Sequence, residues 1–364
     1  MQAWQASAGR CARAQRALAR GAAARKDWPA AAAAWRLALA LNPLHADGWF
    51  AAGYAALKLG DDDSAATAFT RAAVEEPDNP DAWNNLAAVH LRAGRPRPAF
   101  SALSQAVRLH RDGWQTWSNY ASAALASGAP LAAAHGAGKV IALTRGERRE
   151  VDVLGRVVAE VKKALGREME GGAVGAAVLA PTPFSSSDLV DPGGLEEDEN
   201  DVADPGAPAF LPDAQPTAAA LAAAAGAALR AAAASPGGAA DPAVWCALGD
   251  LNALTGHVLA AREARLKAVR CLAGTDWREG GRPFVLYARA AAALARAEVG
   301  AVPTAAADPG AGGTPRDLAS ARLLLRGVLA AGAKLAEEGG GAGEGVEEAV
   351  SEATNAMENV DGVM

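Results

Sequence analysis

The stretch ADGWFAAGYAALKLGDDDSAATAFTRAAVEEPDNP (residues 46–80) decides how the rest of the chain is read, because its landmarks return at a fixed interval. Trp49, Trp83 and Trp117 lie 34 residues apart, and Gly60, Gly94 and Gly128 keep the same interval, as do Ala65, Ala99 and Ala133. Each copy must supply two antiparallel helices of roughly a dozen residues. Neither helix can bury its apolar face alone, so neighbouring copies stack into a continuous core. Helix axes pack at about 8–10 Å, and the near end of that range requires Gly or Ala at the contact. Gly53, Ala65 and Ala72 are placed for it. Gly60 supplies a turn residue that tolerates positive φ. Asp61, Asp62 and Asp63 set acid at the next helix N-terminus, and Pro77 closes the unit because it cannot continue a helix.

A 34-residue period with Trp, Gly and Ala in this phase is the mark of tetratricopeptide repeats. The frame extends backwards, where Gln15 replaces the Trp but Leu18, Ala31, Ala38 and Pro43 are kept and Trp35 takes the core position of Phe69. Forwards, the Trp117 copy keeps Tyr120, Gly128, Ala133 and Val140. Four repeats over 12–147 follow. A further copy is detached: Trp245, Gly249, Gly256, Ala261 and Ala268 have the offsets of Trp49, Gly53, Gly60, Ala65 and Ala72. Residues 241–272 therefore read as a helix pair of the same type. The expected fold is all-α, a superhelical tetratricopeptide-repeat solenoid with a helical C-terminal tail.

The chain has 364 residues, 51% of them hydrophobic, enough for a large core. Its apolar runs are short and alanine-rich, and none reaches the roughly 20 strongly apolar residues of a membrane span. The start, MQAWQASAGRCARAQRALAR, has no apolar core of a signal peptide. Its arginines would suit an organelle transit peptide, but Ala12–Arg25 already belongs to the first repeat. Cys11, Cys246 and Cys271 form neither a CxxC nor a paired framework, which reads as reduced thiols in cytoplasm or nucleus. Net charge is −6, yet eight acids and no base fall within 188–204, so the remainder carries +2. A near-neutral body points to neither a nucleic-acid surface nor an acidic fold.

Around the repeats, residues 1–11 read as a truncated preceding helix. No polar capping repeat comes before the first one, so the expectation is a fragment of a longer protein. Residues 148–167 form a stacking helix, with Val151, Leu154, Val157, Val158 and Val161 on one face. The acidic, Gly/Pro-rich stretch 168–216 cannot bury enough apolar area to order and reads as a disordered linker. Ser185, Ser186 and Ser187 precede its acids. Residues 217–300 hold C-terminal helices, including 218–234, the pair 241–272 and one near 283–299. A linker at 301–316 precedes helices over 317–360, the first with Leu318, Leu325 and Leu329 on one face.

Catalytic and cofactor chemistry find no support. GAGK at 136–139 lacks the earlier Gly and the following Ser or Thr of a phosphate loop, and it falls inside a repeat helix. His45, His90, His110, His135 and His257 are scattered, with no HExxH and no cysteine at metal-ligand spacing. No Ser lies in GxSxG, and clustered carboxylates occur only where disorder is expected. The reading is no enzyme, no cofactor, no metal and no small-molecule substrate.

A stack of helix pairs instead offers a groove lined by the first helix of each pair. Inward positions fall near Trp−2, +1, +2, +5 and +9. These select Phe50, Tyr54 and Lys58 in repeat two, Asn84, Asn85 and Arg92 in repeat three, and Gln115, Ser118 and Asn119 in repeat four. Asn amides can bond an extended peptide backbone, and an exposed polar surface is the competing reading. Trp114 reads as packed. Clamping of a chaperone's C-terminal carboxylate fails in either frame: Asp81 would repel it in one, and Phe50 and Tyr54 occupy its first positions in the other. The alternative function class, an RNA-associated factor, would need a basic stripe and interleaved aromatics, against which the near-neutral body argues.

LNPLHADGWFAAGYAALKLG (41–60), PDNPDAWNNLAAVHLR (77–92) and WQTWSNY (114–120) go beyond a generic repeat. With CARAQRALAR (11–20), DWREGGRPF (276–284) and ARLLLRGVL (321–329), they resemble the C-terminal part of the tetratricopeptide repeat protein 27 family, over most of 3–165 and 241–360. The acidic insert is longer than that family's spacer, and Ser118 stands where an acid is expected. The resemblance implies a eukaryotic, non-enzymatic adaptor of cytoplasm or nucleus, binding protein partners and serving the assembly of multi-subunit complexes with chaperones, such as splicing or ribosome-related particles.

Overall fold

One backbone device makes each turn between the paired helices. Gly60, Gly94, Gly128 and Gly256 have φ of 78°, 67°, 85° and 80°. The residue after each donates its N–H five positions back, Asp61 to Ala56 O at 3.0 Å and Arg95 to His90 O at 2.8 Å among them. This closure ends a helix on a left-handed residue, which glycine adopts without a Cβ clash. In repeat one the position belongs to Lys26, which takes φ 60° and keeps the bond from Asp27 N to Ala22 O, at 3.0 Å.

The computed structural model describes residues 11–170, 216–273, 281–300, 315–337 and 345–363. Among them every regular element is an α-helix, and they fall into two compact units, Met1–Thr144 and Arg145–Met364. The sequence expectations for 1–10, for 171–215 (nearly all of the acidic linker) and for 301–314 lie outside the described residues.

Unit one contains α1 (Ala12–Ala24), α2 (Trp28–Leu41), α3 (Ala46–Leu59), α4 (Asp62–Glu75), α5 (Pro80–Arg92), α6 (Pro96–Leu109), α7 (Trp114–Ser127) and α8 (Pro130–Leu143). Each helix packs on the next along the chain. Caps define the starts. Asp27 and Asp61 accept from Ala30 N and Ser64 N, and Asn79 accepts from Asp81 N and Ala82 N. Arg95 and Ala129 provide no such cap, and Pro96 and Pro130 take the first helical position instead.

Alanine sets the spacing. Ala31, Ala65, Ala99 and Ala133, one per repeat, are all fully buried. Beside them Trp35, Phe69 and Leu103 fill the wider gap. A Cβ on Gly53 would lie 3.0 Å from three atoms of the Phe69 ring, so α3 and α4 touch through the absence of a side chain.

The period tryptophans do not fill the core. Trp49, Trp83 and Trp117 are half-buried. Each indole Nε1–H donates to the carbonyl six residues earlier: Pro43 O at 2.7 Å, Pro77 O at 2.9 Å and Arg111 O at 2.7 Å. The ring covers the inter-repeat turn while its polar edge satisfies a carbonyl that no helix can use.

Unit two contains α9 (Val151–Glu170), α10 (Ala218–Ala234), α11 (Pro242–Leu254), α12 (Val258–Ala273), α13 (Gly281–Gly300), α14 (Pro315–Glu337) and α15 (Val346–Val363). Helices α9, α10 and α11 pack mutually, as do α13, α14 and α15, with α12 between them in the contact order. Leu154, Val157 and Val161 are fully buried. Helix α9 continues past the expected end at 167, and Glu168 accepts from Ala218 N at 2.9 Å, capping α10. The pair α11–α12 reproduces the repeat's device: Trp245 Nε1 donates to Ala239 O at 2.9 Å.

Its interior differs. The position of Phe69 is Arg265, whose Cγ would lie 2.9 Å from a Cβ on Gly249. Burial lowers the pKa of that guanidinium, and Asp250 faces it at 3.6 Å. Cys246 takes the place of Phe50, and burial, aided by Asp250, pushes its thiol up to about 12. Arg262 ties three helices together, donating to the buried Glu298 at 2.5 Å and pairing with Asp317 at 3.1 Å.

Three measurements check this account. Gly53→Leu should overpack the α3–α4 contact and destabilise by about 1–3 kcal/mol in urea titrations; an unchanged midpoint would contradict the assigned phase. Lys26→Gly should relieve a left-handed lysine and stabilise by about 1 kcal/mol, whereas a loss would mean that the lysine side chain holds the turn. In the native protein Cys246 should resist iodoacetamide at about pH 8, because only the thiolate reacts. Mass-spectrometric labelling as fast as in urea would contradict the raised pKa of this half-buried thiol.

Candidate protein-binding face

The first helices α1, α3, α5 and α7 carry the residues expected to line the groove. Their relation is visible in one bond: Asn119 Nδ2 of α7 donates to Asn84 Oδ1 of α5 at 3.2 Å. These residues occupy positions +2 and +1 in successive repeats, so that stripe of α5 meets that stripe of α7. Both amides keep further donor and acceptor capacity. Asn119 is exposed, and Asn84 and Asn85 are half-buried. Gln115 is exposed and Ser118 half-buried on α7, as is Trp114.

The repeat-two residues divide by chemistry. Phe50 is half-buried and stands edge-on to Phe69, with centroids 5.6 Å apart, and it packs on Ala72, Ala73 and Ala82. It is first a packing residue. Tyr54 is 41% exposed, leans edge-on against Trp28 at 5.7 Å, and carries Lys58 Nζ over its ring at 5.2 Å. Tyr54 and Lys58 thus form one amphipathic patch with Trp28, which sequence spacing alone did not select because it begins a second helix.

Arg92 is already engaged. Its guanidinium pairs with Asp62 at 3.0 Å and donates to Leu57 O at 3.4 Å, joining α5 to the preceding repeat. Both partners are partly exposed, so the pair adds at most about 1 kcal/mol. On the same helix, burial and then the Arg95 charge hold the His90 imidazole below its usual pKa.

The overall charge balance conceals an asymmetry. Residues 11–26 carry Arg13, Arg16, Arg20, Arg25 and Lys26 and no acid, whereas residues 27–144 carry nine cations against ten acids. A local count along the sequence would have exposed it; the total charge did not. Ala19 and Ala22 of α1 share small clusters with Ala51, Ala52 and Ala55 of α3, so the two first helices lie side by side.

Among the described residues no group of three His, Cys, Asp or Glu side chains could hold a metal ion, and no helix is long and apolar enough to cross a membrane.

Comparison with known proteins bears on this architecture. Residues 16–80 and 50–97 match a family model described as tetratricopeptide repeat. A search of curated proteins gives no match. Among solved structures, the chain is similar to YrrB, described as a tetratricopeptide-repeat protein with an unusual peptide-binding site. Identity is 18% and the TM-score 0.40, over 46% of this chain and 84% of that one. It is also similar to a tetratricopeptide repeat protein from Parabacteroides merdae, at 11% identity and TM-score 0.36, over 94% and 99% of the two chains. A third similarity is to the APC/C hetero-tetramer Cut9–Hcn1, at 13% identity and TM-score 0.32, over 92% and 48%. The repeats that the 34-residue period marks are thus tetratricopeptide repeats, and the fold is an all-α tetratricopeptide-repeat solenoid.

Proposed function

We propose that the protein is a non-enzymatic scaffold that binds a peptide segment or helix of a partner protein on the face formed by α1, α3, α5 and α7. The observation that carries the reading is the Asn84–Asn119 bond, 3.2 Å long between successive first helices. It supports a shared polar stripe whose amides can pair with a peptide backbone, which presents alternating donors and acceptors. Tyr54, Trp28 and Lys58 add an apolar surface with a cation at one end of that stripe. Repeats that pack on their neighbours through alanine leave the outer edges of the first helices free to vary, which suits recognition rather than catalysis.

The resemblance to the tetratricopeptide repeat protein 27 family supports a narrower reading. The partner would belong to a multi-subunit complex assembled with chaperones, in cytoplasm or nucleus. Phe50 contributes by holding α3 in place, Arg92 by bracing α5, and Asn85, Gln115 and Asn119 by offering hydrogen bonds.

The test is cross-linking mass spectrometry on affinity-purified full-length chain, comparing wild type with Asn84→Ala/Asn119→Ala. The substitutions remove one hydrogen bond between a half-buried and an exposed amide and should cost no more than about 1 kcal/mol of stability. Cross-links from α3, α5 and α7 to one partner peptide should weaken in the variant. Partners that cross-link only to second helices, and are retained by the variant, would refute the assigned face.

A further inference from the structure

Several arginines of this protein find an acid within the fold. Arg92, Arg149, Arg262, Arg289 and Arg322 each stand within 3.3 Å of a carboxylate oxygen. Helix α1 carries three arginines and no acid of its own. Arg13, Arg16 and Arg20 recur at intervals of three and four, which puts them on one helix face. No carboxylate of the described residues lies within ion-pair distance of any of them, and Arg13 and Arg20 are exposed. In the repeat frame Arg16 and Arg20 hold the positions of Phe50 and Tyr54, so the cations continue a stripe that passes into Tyr54 and Lys58 on α3.

Resting on the groove reading above, we infer that the α1 end of this face binds a partner segment whose side chains carry several carboxylates. Planar guanidiniums three and four residues apart bind carboxylates bidentately without reorganising the helix. An acidic peptide is the general counterpart of such an arginine cluster. The charge falls off along the stack: Asp47 and Asp81 occupy the position of Arg13 in repeats two and three, and Asn84 and Asn119 follow. The occupant is thus acidic at one end, over α1, and uncharged where its backbone reaches the asparagines. A nucleic acid carries uniform charge and would set phosphates against Asp47 and Asp81. A C-terminal carboxylate alone presents one charge to three cations, so the acids lie within the segment.

Fluorescence anisotropy with the full chain tests this. The probe is a labelled, C-terminally amidated peptide of about 10 residues, long enough to cross two helices about 10 Å apart. One half carries Asp and Glu and the other Gly and Ser. Arg16→Glu/Arg20→Glu should weaken binding at least about tenfold, and Arg36→Glu/Arg71→Glu, an equal charge change on exposed positions of α2 and α4, less than about twofold. If circular dichroism shows Arg16→Glu/Arg20→Glu unfolded, Arg13→Gln/Arg20→Gln at exposed positions replaces it, with the same direction expected. Equal weakening by both glutamate pairs would mean a diffuse field and would overturn the inference. So would no binding of the acidic probe, equal affinity for an all-Gly/Ser probe, or tighter binding of oligo-uridylate lost on the same variant. A groove ligand lost on Asn84→Ala/Asn119→Ala but indifferent to Arg16→Glu/Arg20→Glu would overturn this inference alone and leave the groove reading standing.

Discussion

Close approach of helices through residues with little or no side chain is the constraint on which the structure rests. Where Gly53 faces the Phe69 ring, even one methyl group would sit at 3.0 Å from it. Ala31, Ala65, Ala99 and Ala133 carry the same geometry through all four repeats at zero exposure. Packing this tight gains little hydrophobic area per residue, since alanine buries only a methyl. It gains instead in uniformity: each repeat presents the same contact to the next, so the stack propagates. The larger side chains, Trp35, Phe69 and Leu103, fill the wider spaces that the small residues leave.

The tryptophans follow from that geometry. Helices set close together leave a short, exposed turn between repeats, with carbonyls to which no helix N–H donates. The indole edge of Trp49, Trp83, Trp117 and Trp245 reaches back six residues to one of them, at 2.7–2.9 Å. Recurrence in α11–α12, far along the chain and in the other compact unit, identifies the bond as part of the repeat rather than an accident of one copy. In that pair the interior has been rebuilt around Arg265 and Cys246. The turn and the tryptophan persist although the core position has changed character, which separates what makes the pair from what fills it.

On the proposed reading, function resides in outward residues of the first helices. Two chemistries meet there, an amide pair between α5 and α7 and a run of unmatched cations on α1 that ends at Tyr54 and Lys58. Arg92 shows how the same residue type is used up when an acid is near: held by Asp62 and Leu57 O, it braces the stack. The residues expected in the groove therefore divide into those engaged in packing and bracing, Phe50 and Arg92, and those whose polar groups remain exposed.

The sequence by itself determined the helix pairs, their turns and their phase. Gly60, Gly94, Gly128 and Gly256 answer to a local rule, since only the residue's own φ is at stake. Ala65 and Ala99 answer to a spacing rule that repetition makes visible. Leu318 and Leu325 were legible because helical periodicity alone assigns them a buried face. Tertiary structure decided the rest, because pair distances between distant residues have no period. The sequence could not tell that Arg92 closes on Asp62 while the arginines of α1 close on nothing described. Nor could it tell that Phe50 turns toward Phe69, that Trp28 joins Tyr54, or that Asn84 and Asn119 meet. Lys26 shows the boundary between the two: its place in the turn was fixed by phase, but only the folded backbone revealed a lysine held in a glycine's conformation.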